Sequence, residues 1–543
     1  MDLIAIAKNW LDQDPDPLTR FELEQLIDAQ DEQGLRARFE TRLQFGTAGL
    51  RGELGAGPNR MNRIVVAQAA LAIARFLNAN KAEYLDKNGE LSVVVGYDGR
   101  VNSDIFAQDS AEIFAAAGIR TRLFDAAVPT PVAAFTGKRF LASATVIVTA
   151  SHNPPRDNGY KVYLGGQNGC SQLVSPQDKQ IAVLIDQISA ETKFDEIPKA
   201  KTIEILGETD VALYVARAAS LVGSDITGRN NLKITYTAMH GVGYSVMKAV
   251  FDKTGFVVSS VARQQEPDGQ FPTVSFPNPE EPGAMDLSFE HARANHSDLI
   301  IANDPDADRL AVGVRKDNKY QMLTGDQVGL LLAEMIASGR QSGTLANSIV
   351  SASLAKVAAF HGLKYQQTLT GFKWISKVPE LSYGYEEALG YCIDPIATPD
   401  KDGISAALAI AELASTLKAE GMDLIDLLRG LAKRYGHLAT GQVSIRVTDL
   451  SVIGKIMAEV KSNPISEILG EQAEFENLEL GKNLPATEGV ILTTNSYRVI
   501  IRPSGTEPKL KCYLQVTAES EADSQHKLAS LKNWAEKLLK SAF

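Results

Sequence analysis

The chain has 543 residues, of which 44% are hydrophobic and 22% charged, an ordinary globular composition with length for roughly three to four domains. Its formal net charge of −11 and its pI of about 5.3 argue against a sequence-independent nucleic-acid binder, because such binding requires clustered positive charge. Any anion site in this chain must therefore be a local basic cluster.

The cysteines and the first residues of the chain bear on its compartment. Cys170, Cys392 and Cys512 stand far apart without CxxC spacing, which indicates neither a zinc site nor a disulfide framework and fits a reducing environment. The first ten residues carry an acid at position two and lack the pattern of a signal peptide. No run reaches the ~20 apolar residues that span a bilayer. We therefore expect a cytoplasmic protein.

Predicted helices and strands alternate through the first part of the chain. In order, the patterns predict an amphipathic helix at 19–27, a glycine-rich turn at 45–52, a helix at 64–78, a strand that enters a loop at 91–100, a helix at 103–117 and a strand at 144–148. A further helix is predicted to run through Ile188, with Ser175 as its N-cap and Pro176 at its first position. Such alternation predicts a parallel α/β sheet, which binds ligands at the carboxyl ends of its strands.

Ser151 follows the strand at 144–148 in a loop that reads Thr-Ala-Ser-His-Asn-Pro-Pro-Arg-Asp-Asn-Gly-Tyr-Lys from 149 to 161. Its hydroxyl is predicted to be exposed and to be held by a rigid element, because a buried strand has just ended there. The prolines, asparagines and glycine predict a tight loop whose backbone N–H groups surround the serine, which suits a phosphate better than an acyl group. For the Ser-His pair alone, the alternative is a surface turn in which His152 is an incidental neighbour.

The second α/β unit begins with a strand predicted at 232–237, which ends in a loop that places His240 beside glycines. That histidine either approaches a substrate or packs within the fold, and the sequence favours neither. Further on, a strand at 298–303 leads into a loop, before a second strand at 310–314. The loop reads Asp304-Pro305-Asp306-Ala307-Asp308-Arg309.

The three alternate aspartates of this loop favour a divalent cation. Extended backbone would hold alternate Cα atoms about 6.6 Å apart, whereas oxygens that share one Mg²⁺ lie about 2.0–2.1 Å from the ion, so the segment must curl. An all-oxygen site favours Mg²⁺ over zinc. An EF-hand is excluded, because its glycine and glutamate positions hold Arg309 and Arg315 here. The remaining alternative is a solvated acidic turn.

The later part of the chain predicts two more units. In the third unit a helix is predicted at 328–336, and residues 400–403 cap a helix that ends near 419. Between them, a glycine-bounded loop carries Glu386 and Glu387. Paired glutamates suit sugar hydroxyls, although by themselves they are more often surface charge.

A fourth, smaller unit is predicted from near Tyr435, with two strands around residues 502–509 and a C-terminal helix. The segment from Arg502 reads Arg-Pro-Ser-Gly-Thr-Glu-Pro-Lys and offers a guanidinium fork, two hydroxyls and free backbone N–H groups, which suit a phosphate dianion. No G-x-x-x-x-G-K-[ST] string occurs in the chain, so a P-loop nucleotide enzyme is unsupported.

Two strings of the serine loop, Thr-Ala-Ser-His-Asn-Pro and Asn-Gly-Tyr-Lys, resemble the phosphoserine loop of the α-D-phosphohexomutase superfamily. The resemblance is closest to the longer phosphoglucomutase and phosphopentomutase branch and extends over nearly the whole chain. It implies an α/β fold of four domains, in which three α/β units with mixed or parallel sheets precede a smaller α+β C-terminal domain. The implied domains are 1–205, 206–322, 323–434 and 435–543.

The resemblance implies that Ser151 is carried as a phosphoserine, with Arg51 of the glycine-rich turn beside it. Lys161, ten residues past the serine, is the candidate general acid/base. We place His152 with these three residues as the catalytic set.

The resemblance also implies one Mg²⁺ per chain and a set of substrate contacts. The implied metal ligands are Asp304, Asp306, Asp308 and a phosphoserine oxygen of Ser151, with Arg309 nearby as a substrate contact. The remaining implied contacts to the sugar phosphate are Gly371, Lys373, Glu386, Glu387, Arg502, Ser504, Gly505, Thr506 and Lys509.

These roles imply a phosphoglucomutase that interconverts glucose 1-phosphate and glucose 6-phosphate through a phosphoserine and a glucose 1,6-bisphosphate intermediate. A phosphopentomutase or a phosphomannomutase is the alternative. Residues 388–391 read Ala-Leu-Gly-Tyr, where shorter mannose and glucosamine relatives carry Ser-Gly-His, which weakens the mannose and glucosamine assignments. A serine-type phosphatase and a non-catalytic sugar-phosphate binder are rivals from other classes. We expect small sugar phosphates as partners, no nucleic acid or membrane, and a monomer or weak dimer.

Overall fold

The computed structural model describes residues 2–316, 319–447, 450–503 and 509–541. The chain divides into two compact units. The first unit comprises Met1–Leu323, Ser376–Gly384 and Leu389–Gly421, and the second comprises Thr324–Ile375, Tyr385–Ala388 and Met422–Phe543. Within the described ranges, none of the helices has the length and apolar character that a membrane crossing requires.

The described residues form helices and strands whose bounds follow in chain order. The helices are α1 (Leu3–Leu11), α2 (Pro17–Asp28), α3 (Glu32–Phe39), α4 (Arg63–Ala79), α5 (Ser103–Ala116), α6 (Thr130–Phe140), α7 (Gln177–Glu191), α8 (Glu208–Ala219), α9 (Gly243–Lys253), α10 (Asp286–Asn295), α11 (Gly325–Ser338), α12 (Ala355–Phe360), α13 (Phe372–Ile375), α14 (Gly403–Ala419), α15 (Leu424–Tyr435), α16 (Leu450–Ser462) and α17 (Glu521–Ser541).

The strands are β1 (Leu50–Glu53), β2 (Ser92–Tyr97), β3 (Arg120–Phe124), β4 (Ala144–Val148), β5 (Asp157–Leu164), β6 (Ser171–Gln172), β7 (Ile203–Leu206), β8 (Ile234–Thr237), β9 (Val258–Ser260), β10 (Leu299–Ala302), β11 (Ala311–Lys316), β12 (Lys319–Met322), β13 (Thr344–Ser348), β14 (Lys364–Thr368), β15 (Leu381–Glu386), β16 (Gly390–Cys392), β17 (His437–Arg446), β18 (Glu467–Ile468), β19 (Glu471–Gln472), β20 (Glu474–Asn477), β21 (Val490–Thr493), β22 (Tyr497–Pro503) and β23 (Lys509–Ala518).

The first sheet of the first unit has the order β1-β5-β4-β2-β3-β7, with β6 paired to β5. Strands β4, β2, β3 and β7 run parallel, while β5 is antiparallel to both β4 and β1. After β2 the chain moves to β3 on one side and then crosses to β4 on the other side. The loops that follow β2 and β4 are therefore neighbours at the carboxyl edge of the sheet, where ligands bind in such folds.

Helix α4 forms the centre of the core beside this sheet. Its sequence is rich in alanine and branched apolar residues on every face, which is the pattern of a fully buried helix. It packs between α5 and α7, and all but a few of its residues are buried. This core holds the sheet rigid beneath the loops at its carboxyl edge.

The second sheet of the first unit has the order β12-β11-β10-β8-β9. Strands β8, β9 and β10 are parallel, and β10, β11 and β12 form an antiparallel meander. The aspartate loop joins β10 to β11, whose register pairs Ala302 with Ala311. Helix α14 begins nearby at Gly403, and the carboxylate of Asp402 caps it by accepting the N–H groups of Ile404 and Ser405 at 3.1 and 3.0 Å.

The second unit contains the parallel pair β13 and β14 and an antiparallel sheet in the order β17-β23-β22-β21-β20. One face of this sheet packs against α16 and α17 through an apolar core. The other face contributes residues of β21, β22 and β23 to a smaller cluster with Ile349 and Val350. The predicted mixed or parallel sheets and the smaller α+β C-terminal domain are confirmed.

Two local predictions about helices are wrong. Ser175 is not the N-cap of α7, because Pro176 lies in the helical region of backbone space and takes the cap position, and no side chain makes a capping hydrogen bond. The amphipathic pattern at 19–27 counts Phe21 and Leu23 among its apolar positions; Leu23 of α2 is buried, but Phe21 lies on the surface, with 60% of the residue exposed. The apolar pattern located both helices, while tertiary packing decided their ends and faces.

Candidate active site

Ser151 lies in a strained turn just after β4. Its φ is +52°, a left-handed value that few residues other than glycine adopt, and its N–H donates to Thr149 Oγ1 at 2.8 Å. The residue is only 1% exposed, so the predicted exposed hydroxyl is wrong. The reason is that the aspartate loop covers the serine, and Ser151 Oγ donates to Asp304 Oδ2 at 2.7 Å.

The backbone of the serine loop is held by one side chain from the loop after β2. The guanidinium of Arg100 donates to four carbonyl oxygens, at 2.6 to 2.9 Å, which belong to Ser151, Asn153, Pro154 and Asp157. Arg100 is 4% exposed. Because a buried guanidinium can satisfy several carbonyls at once, this contact fixes the loop that presents Ser151.

His152 is adjacent to the serine hydroxyl. Its Nδ1 lies 3.1 Å from Ser151 Oγ. Burial lowers the pKa of His152 well below its ordinary value, and the neighbouring guanidinium groups of Arg309 and Arg51 lower it further. The imidazole is therefore neutral at physiological pH and can share a hydrogen bond with the serine hydroxyl.

The aspartate loop curls, as the sequence predicts for a cation site. Ala307 adopts a φ of +56°, and its N–H donates to the carbonyl of Asp304 at 2.8 Å. This turn brings carboxylate oxygens of Asp304, Asp306 and Asp308 within 4.8 Å of one another, and all three residues are buried. The solvated acidic turn is therefore excluded.

Three cationic side chains surround the carboxylates. Lys161 Nζ lies 2.6 Å from Asp306 Oδ2 and 2.7 Å from Asp308 Oδ2, and Lys401 Nζ lies 3.5 Å from Asp308 Oδ2. Arg309 Nε is 3.9 Å from Asp308 Oδ1. Burial alone would raise the pKa of Asp308, but Lys161, Lys401 and Arg309 outweigh it and lower that pKa. Burial likewise tends to lower the pKa of Lys161, and the two aspartates reverse this and raise it.

The buried polar atoms at this site that have no hydrogen-bond partner among the described residues include Asp306 Oδ1, Asp308 Oδ1 and Arg51 Nε. Orphaned buried acceptors are costly unless a cation or water satisfies them. Two free carboxylate oxygens on a compact loop are the hard donors that Mg²⁺ prefers, so the residues present fit a divalent cation. The free Arg51 Nε is a donor suited to an anion, and this guanidinium interacts with the charges of all three aspartates.

His240 packs within the fold. Its ring Nε2 lies 2.8 Å from Thr273 Oγ1, and its backbone N–H donates to the carbonyl of Gln264. The adjacent Gly241 meets the aspartate loop so closely that a Cβ there would lie 2.3 Å from the Cα of Pro305. The loop that contains His240 therefore packs directly against the aspartate loop. Of the two roles that the sequence allows for this histidine, substrate contact or packing, the structure favours packing.

The second unit brings together the predicted sugar-binding residues. Gly371, with a φ of +114°, donates its N–H to Glu386 Oε1 at 2.7 Å. Ser351 Oγ donates to Glu387 Oε2 at 2.7 Å. Burial raises the pKa of Glu387 to about 8, and the nearby carboxylates of Glu386 and Asp326 contribute to this shift. At neutral pH Glu387 therefore carries a proton and can donate as well as accept hydrogen bonds.

The predicted phosphate loop is described only at its two ends. Arg502, near the end of β22, donates from its guanidinium to Thr370 Oγ1. This contact places Arg502 beside the loop that holds Gly371, and Lys373 follows on the short helix α13. Lys509 begins β23. Ser504, Gly505 and Thr506 lie outside the described residues.

Sequence reasoning missed Arg100, Thr130 and Lys401 as members of the site. Arg100 ends the string Gly-Tyr-Asp-Gly-Arg directly after a strand, so its place at the carboxyl edge of the sheet was an available signal. Lys401 lies inside the cap of α14, between Asp400 and Asp402. Thr130 donates from Oγ1 to Asp306 Oδ2 at 2.6 Å. No local pattern distinguishes this threonine from other residues at helix starts.

Comparison with known proteins agrees with this architecture. Four family descriptions match in order, phosphoglucomutase/phosphomannomutase alpha/beta/alpha domains I, II and III and the C-terminal domain, over residues 42–192, 212–318, 324–435 and 456–530. The chain belongs to the phosphoglucomutase/phosphomannomutase family. The four domains that the resemblance implied are confirmed.

The relatives of this chain carry different substrate names. It is 44% identical to a "Probable phosphomannomutase" of Haemophilus influenzae, over 88% of this chain and 98% of that protein. It is 34% identical to a "Probable phosphoribomutase" of Schizosaccharomyces pombe, over 96% and 95%. It is 31% identical to a phosphoglucomutase of Staphylococcus epidermidis, over 95% and 97%.

Among solved structures, a phosphoglucomutase of Paramecium, pp63/parafusin in its open form, shares the fold with a TM-score of 0.69. The two chains are 18% identical over 92% of this chain and 95% of that one. The family and its relatives define the chain as a phosphosugar mutase, an isomerase that acts as an intramolecular phosphotransferase.

Proposed function

We propose that this enzyme is a phosphoglucomutase that interconverts glucose 1-phosphate and glucose 6-phosphate through a phosphoserine at Ser151 and a glucose 1,6-bisphosphate intermediate. The observation that carries the mechanism is the hydrogen bond of 2.7 Å from Ser151 Oγ to Asp304, inside the cluster of buried carboxylates. A serine so placed presents its oxygen to a strongly charged site, which is what a phosphoryl carrier requires.

In the forward direction the P–O bond to Ser151 Oγ breaks as a hydroxyl oxygen of the bound sugar monophosphate forms a bond to phosphorus. The hydroxyl proton is released, and Ser151 Oγ gains a proton. Lys161, which Asp306 and Asp308 keep protonated, is the group we assign to this exchange: it gives its proton to Ser151 Oγ and takes up the proton of the sugar hydroxyl. The bisphosphate then turns over, its other phosphate returns to Ser151, and the net reaction moves one phosphate between two hydroxyls.

Asp304, Asp306 and Asp308, with an oxygen of the phosphoserine, would hold one Mg²⁺. When bound, this ion would neutralise negative charge on the transferring phosphoryl group. Arg51 and Arg309 contribute fixed positive charge at the same place, because both guanidinium groups act on the aspartate cluster. Positioning and charge neutralisation, rather than further covalent chemistry, then supply the rate enhancement.

The second unit supplies the sugar and phosphate contacts in this proposal. Glu386 and Glu387 contact ring hydroxyls, since one offers a carboxylate oxygen and the other a protonated carboxyl group at neutral pH. Arg502 and Lys509, with Gly371 and Lys373 beside them, bind the phosphate that does not react. Ser504, Gly505 and Thr506 complete that loop by resemblance.

A phosphopentomutase is the second candidate, favoured by the phosphoribomutase name of the Schizosaccharomyces pombe relative. Phosphomannomutase, the name of the Haemophilus influenzae relative, is a third. The chain lacks the Ser-Gly-His ending that shorter mannose-phosphate relatives carry on the sugar loop and has Ala388-Leu389-Gly390-Tyr391 instead. This departure supports glucose over mannose.

A substrate panel tests the proposal. The purified enzyme is assayed with glucose 1-phosphate, ribose 1-phosphate and mannose 1-phosphate, each with a trace of its own bisphosphate, and free phosphate is measured in parallel. We expect the highest kcat/KM for glucose 1-phosphate and no net phosphate release. A higher kcat/KM for ribose 1-phosphate or mannose 1-phosphate would overturn the substrate assignment and leave the mechanism standing. Stoichiometric phosphate release would show that the enzyme is a phosphatase and not a mutase.

The carrier role has its own test. Ser151→Ala removes the phosphoryl acceptor, so we expect mutase activity to fall by at least about 1,000-fold and intact-mass spectrometry to show one phosphate on wild type only. Ser288→Ala is the matched control, because Ser288 is also buried and its hydroxyl has no hydrogen-bond partner within the described chain. Near-normal activity of Ser151→Ala would sink the phosphoserine mechanism.

A further inference from the structure

Thr130 makes two hydrogen bonds to Asp306 of the aspartate loop. It is the first residue of α6 and is fully buried. Its Oγ1 donates to Asp306 Oδ2 at 2.6 Å, and its backbone N–H donates to the carbonyl of Asp306 at 2.9 Å. The two residues are 176 positions apart, so this pair ties a helix of the serine-bearing sheet to the loop of the second sheet.

These bonds decide which oxygen of Asp306 remains free. Oδ2 accepts from Thr130 Oγ1 and also from Lys161 Nζ, each at 2.6 Å. Oδ1 is buried and has no hydrogen-bond partner among the described residues. With two donors on one oxygen, the carboxylate cannot rotate to exchange its two oxygens without breaking both bonds. Oδ1 is therefore the oxygen that these bonds leave available for a ligand.

We propose that Thr130 is a positioning residue for metal binding, which orients the carboxylate of Asp306 so that Oδ1 serves as the ligating atom. This inference rests on the proposed Mg²⁺ site. Partners that hold a ligating carboxylate in place raise metal affinity, and their removal typically costs about 10- to 100-fold. The threonine hydroxyl, rather than the helix itself, carries this effect.

The chain offers a close control on the same helix. Thr136 of α6 is also fully buried, and its Oγ1 has no hydrogen-bond partner within the described part of the chain. Thr136→Val and Thr130→Val thus make the same chemical change at the same depth on one helix. Only the second change removes a hydrogen bond to the metal loop, and it leaves the backbone N–H of Thr130 in place.

The experiment measures Mn²⁺ binding by electron paramagnetic resonance and Mg²⁺ by competition, on the full chain with Ser151 unphosphorylated. We expect Thr130→Val to weaken Mn²⁺ binding by roughly 10-fold or more, Thr130→Ser to stay within about 3-fold of wild type, and Thr136→Val to bind as wild type does. In an Asp306→Asn background the Thr130→Val change should lose most of its effect, because the residue acts through that carboxylate.

The outcomes separate this inference from the proposed function. If wild type binds no divalent ion at this site, the proposed metal centre and the inference both fail. If wild type binds Mn²⁺ and Thr130→Val binds it equally well, or Thr136→Val loses as much affinity, only the inference fails. Thr130→Ala serves if the valine variant does not fold, and failure of both to fold would overturn the inference by showing that the hydroxyl is needed for folding.

Discussion

Two regions of the molecule hold neighbouring acids, and the pKa of one acid in each region, Asp308 in the first and Glu387 in the second, is shifted in opposite directions. The pKa of Asp304 in the first region is raised, mainly because the residue is buried. In the first unit, Asp304, Asp306 and Asp308 are buried among Lys161, Lys401 and Arg309. In the second unit, Glu386 and Glu387 are contacted instead by the N–H of Gly371 and the hydroxyl of Ser351. Accordingly the pKa of Asp308 is lowered, while that of Glu387 is raised to about 8.

The proposed function assigns these two regions different tasks, and their surroundings suit those tasks. Surrounding cations keep Asp308 ionised, which suits a centre that handles a metal ion and a phosphoryl group. Neutral donors around the glutamates allow one of them to keep its proton, which suits the neutral hydroxyls of a sugar. The same substitution, carboxylate to amide, should therefore have very different consequences in the two regions.

Asp306→Asn is expected to have the largest effect. The amide keeps the shape of the side chain but removes a full negative charge from the metal loop, so metal affinity and turnover should both fall, each by at least about 100-fold. Mn²⁺ binding and mutase kinetics at limiting Mg²⁺ measure the two losses, and EDTA should silence wild type. Unchanged activity of the purified variant at limiting Mg²⁺ would remove Asp306 from the site.

Arg502→Ala is expected to have an intermediate effect on activity, because it should weaken substrate binding and leave metal binding unchanged. This half-buried guanidinium donates to Thr370, and we assign it to the distal phosphate. Its loss should lower kcat/KM by about 10- to 100-fold, or on the order of 1.5–3 kcal/mol, as for a lost charged hydrogen bond. Steady-state kinetics check this expectation, with Mn²⁺ affinity as the control that should not move. A loss of metal affinity would contradict the division of tasks.

Glu387→Gln is expected to have the smallest effect on turnover at pH 7, because the glutamine replaces a carboxyl group that is already protonated. The folded pKa of about 8 lies above the ordinary value of 4.5, so Glu387 contributes stability that is fully present below about pH 4.5 and is lost as pH rises through 8. For one proton the loss is at most about 1.4 kcal/mol per pH unit.

Differential scanning calorimetry from pH 5 to 9 checks this sign. The melting temperature of Glu387→Gln should gain on that of wild type as pH rises toward 8 and then level off. A difference in melting temperature that stays constant across this range would show that Glu387 does not titrate there. The raised pKa of Glu387, on which the contrast between the two acidic regions depends, would then be wrong.

The sequence predicted the local elements well, because apolar periodicity and capping residues are local signals. It identified the strand that ends at Val148, the curled aspartate loop and the cap at Asp402, each from a few adjacent residues. Resemblance supplied the pairing of Ser151 with Asp304 across 153 positions, which no local pattern contains. The burial of Ser151 was mispredicted for the same reason, since the covering loop is distant in sequence.

The residues that sequence reasoning missed act through long-range contacts of ordinary side chains. Arg100 donates to four backbone carbonyl oxygens, and every residue type has such an oxygen, so no sequence pattern marks these partners. Thr130 is one of many threonines at helix starts. Lys401 had a stronger signal, because a lysine between two aspartates at a helix cap is unusual. Its approach to Asp308 still depends on how the helix that follows is placed against the second sheet.

The charges gathered around the aspartate loop have one further consequence. Asp304, Asp306 and Asp308 carry three formal negative charges when ionised, and they face four formal positive charges on Lys161, Lys401, Arg309 and Arg51. These formal charges nearly balance. A Mg²⁺ ion would add two positive charges, and phosphorylation of Ser151 would add nearly two negative ones. Each arrival would restore the balance that the other disturbs. Metal affinity and the retention of the phosphate on Ser151 should therefore be thermodynamically linked, with each event strengthening the other by the same factor.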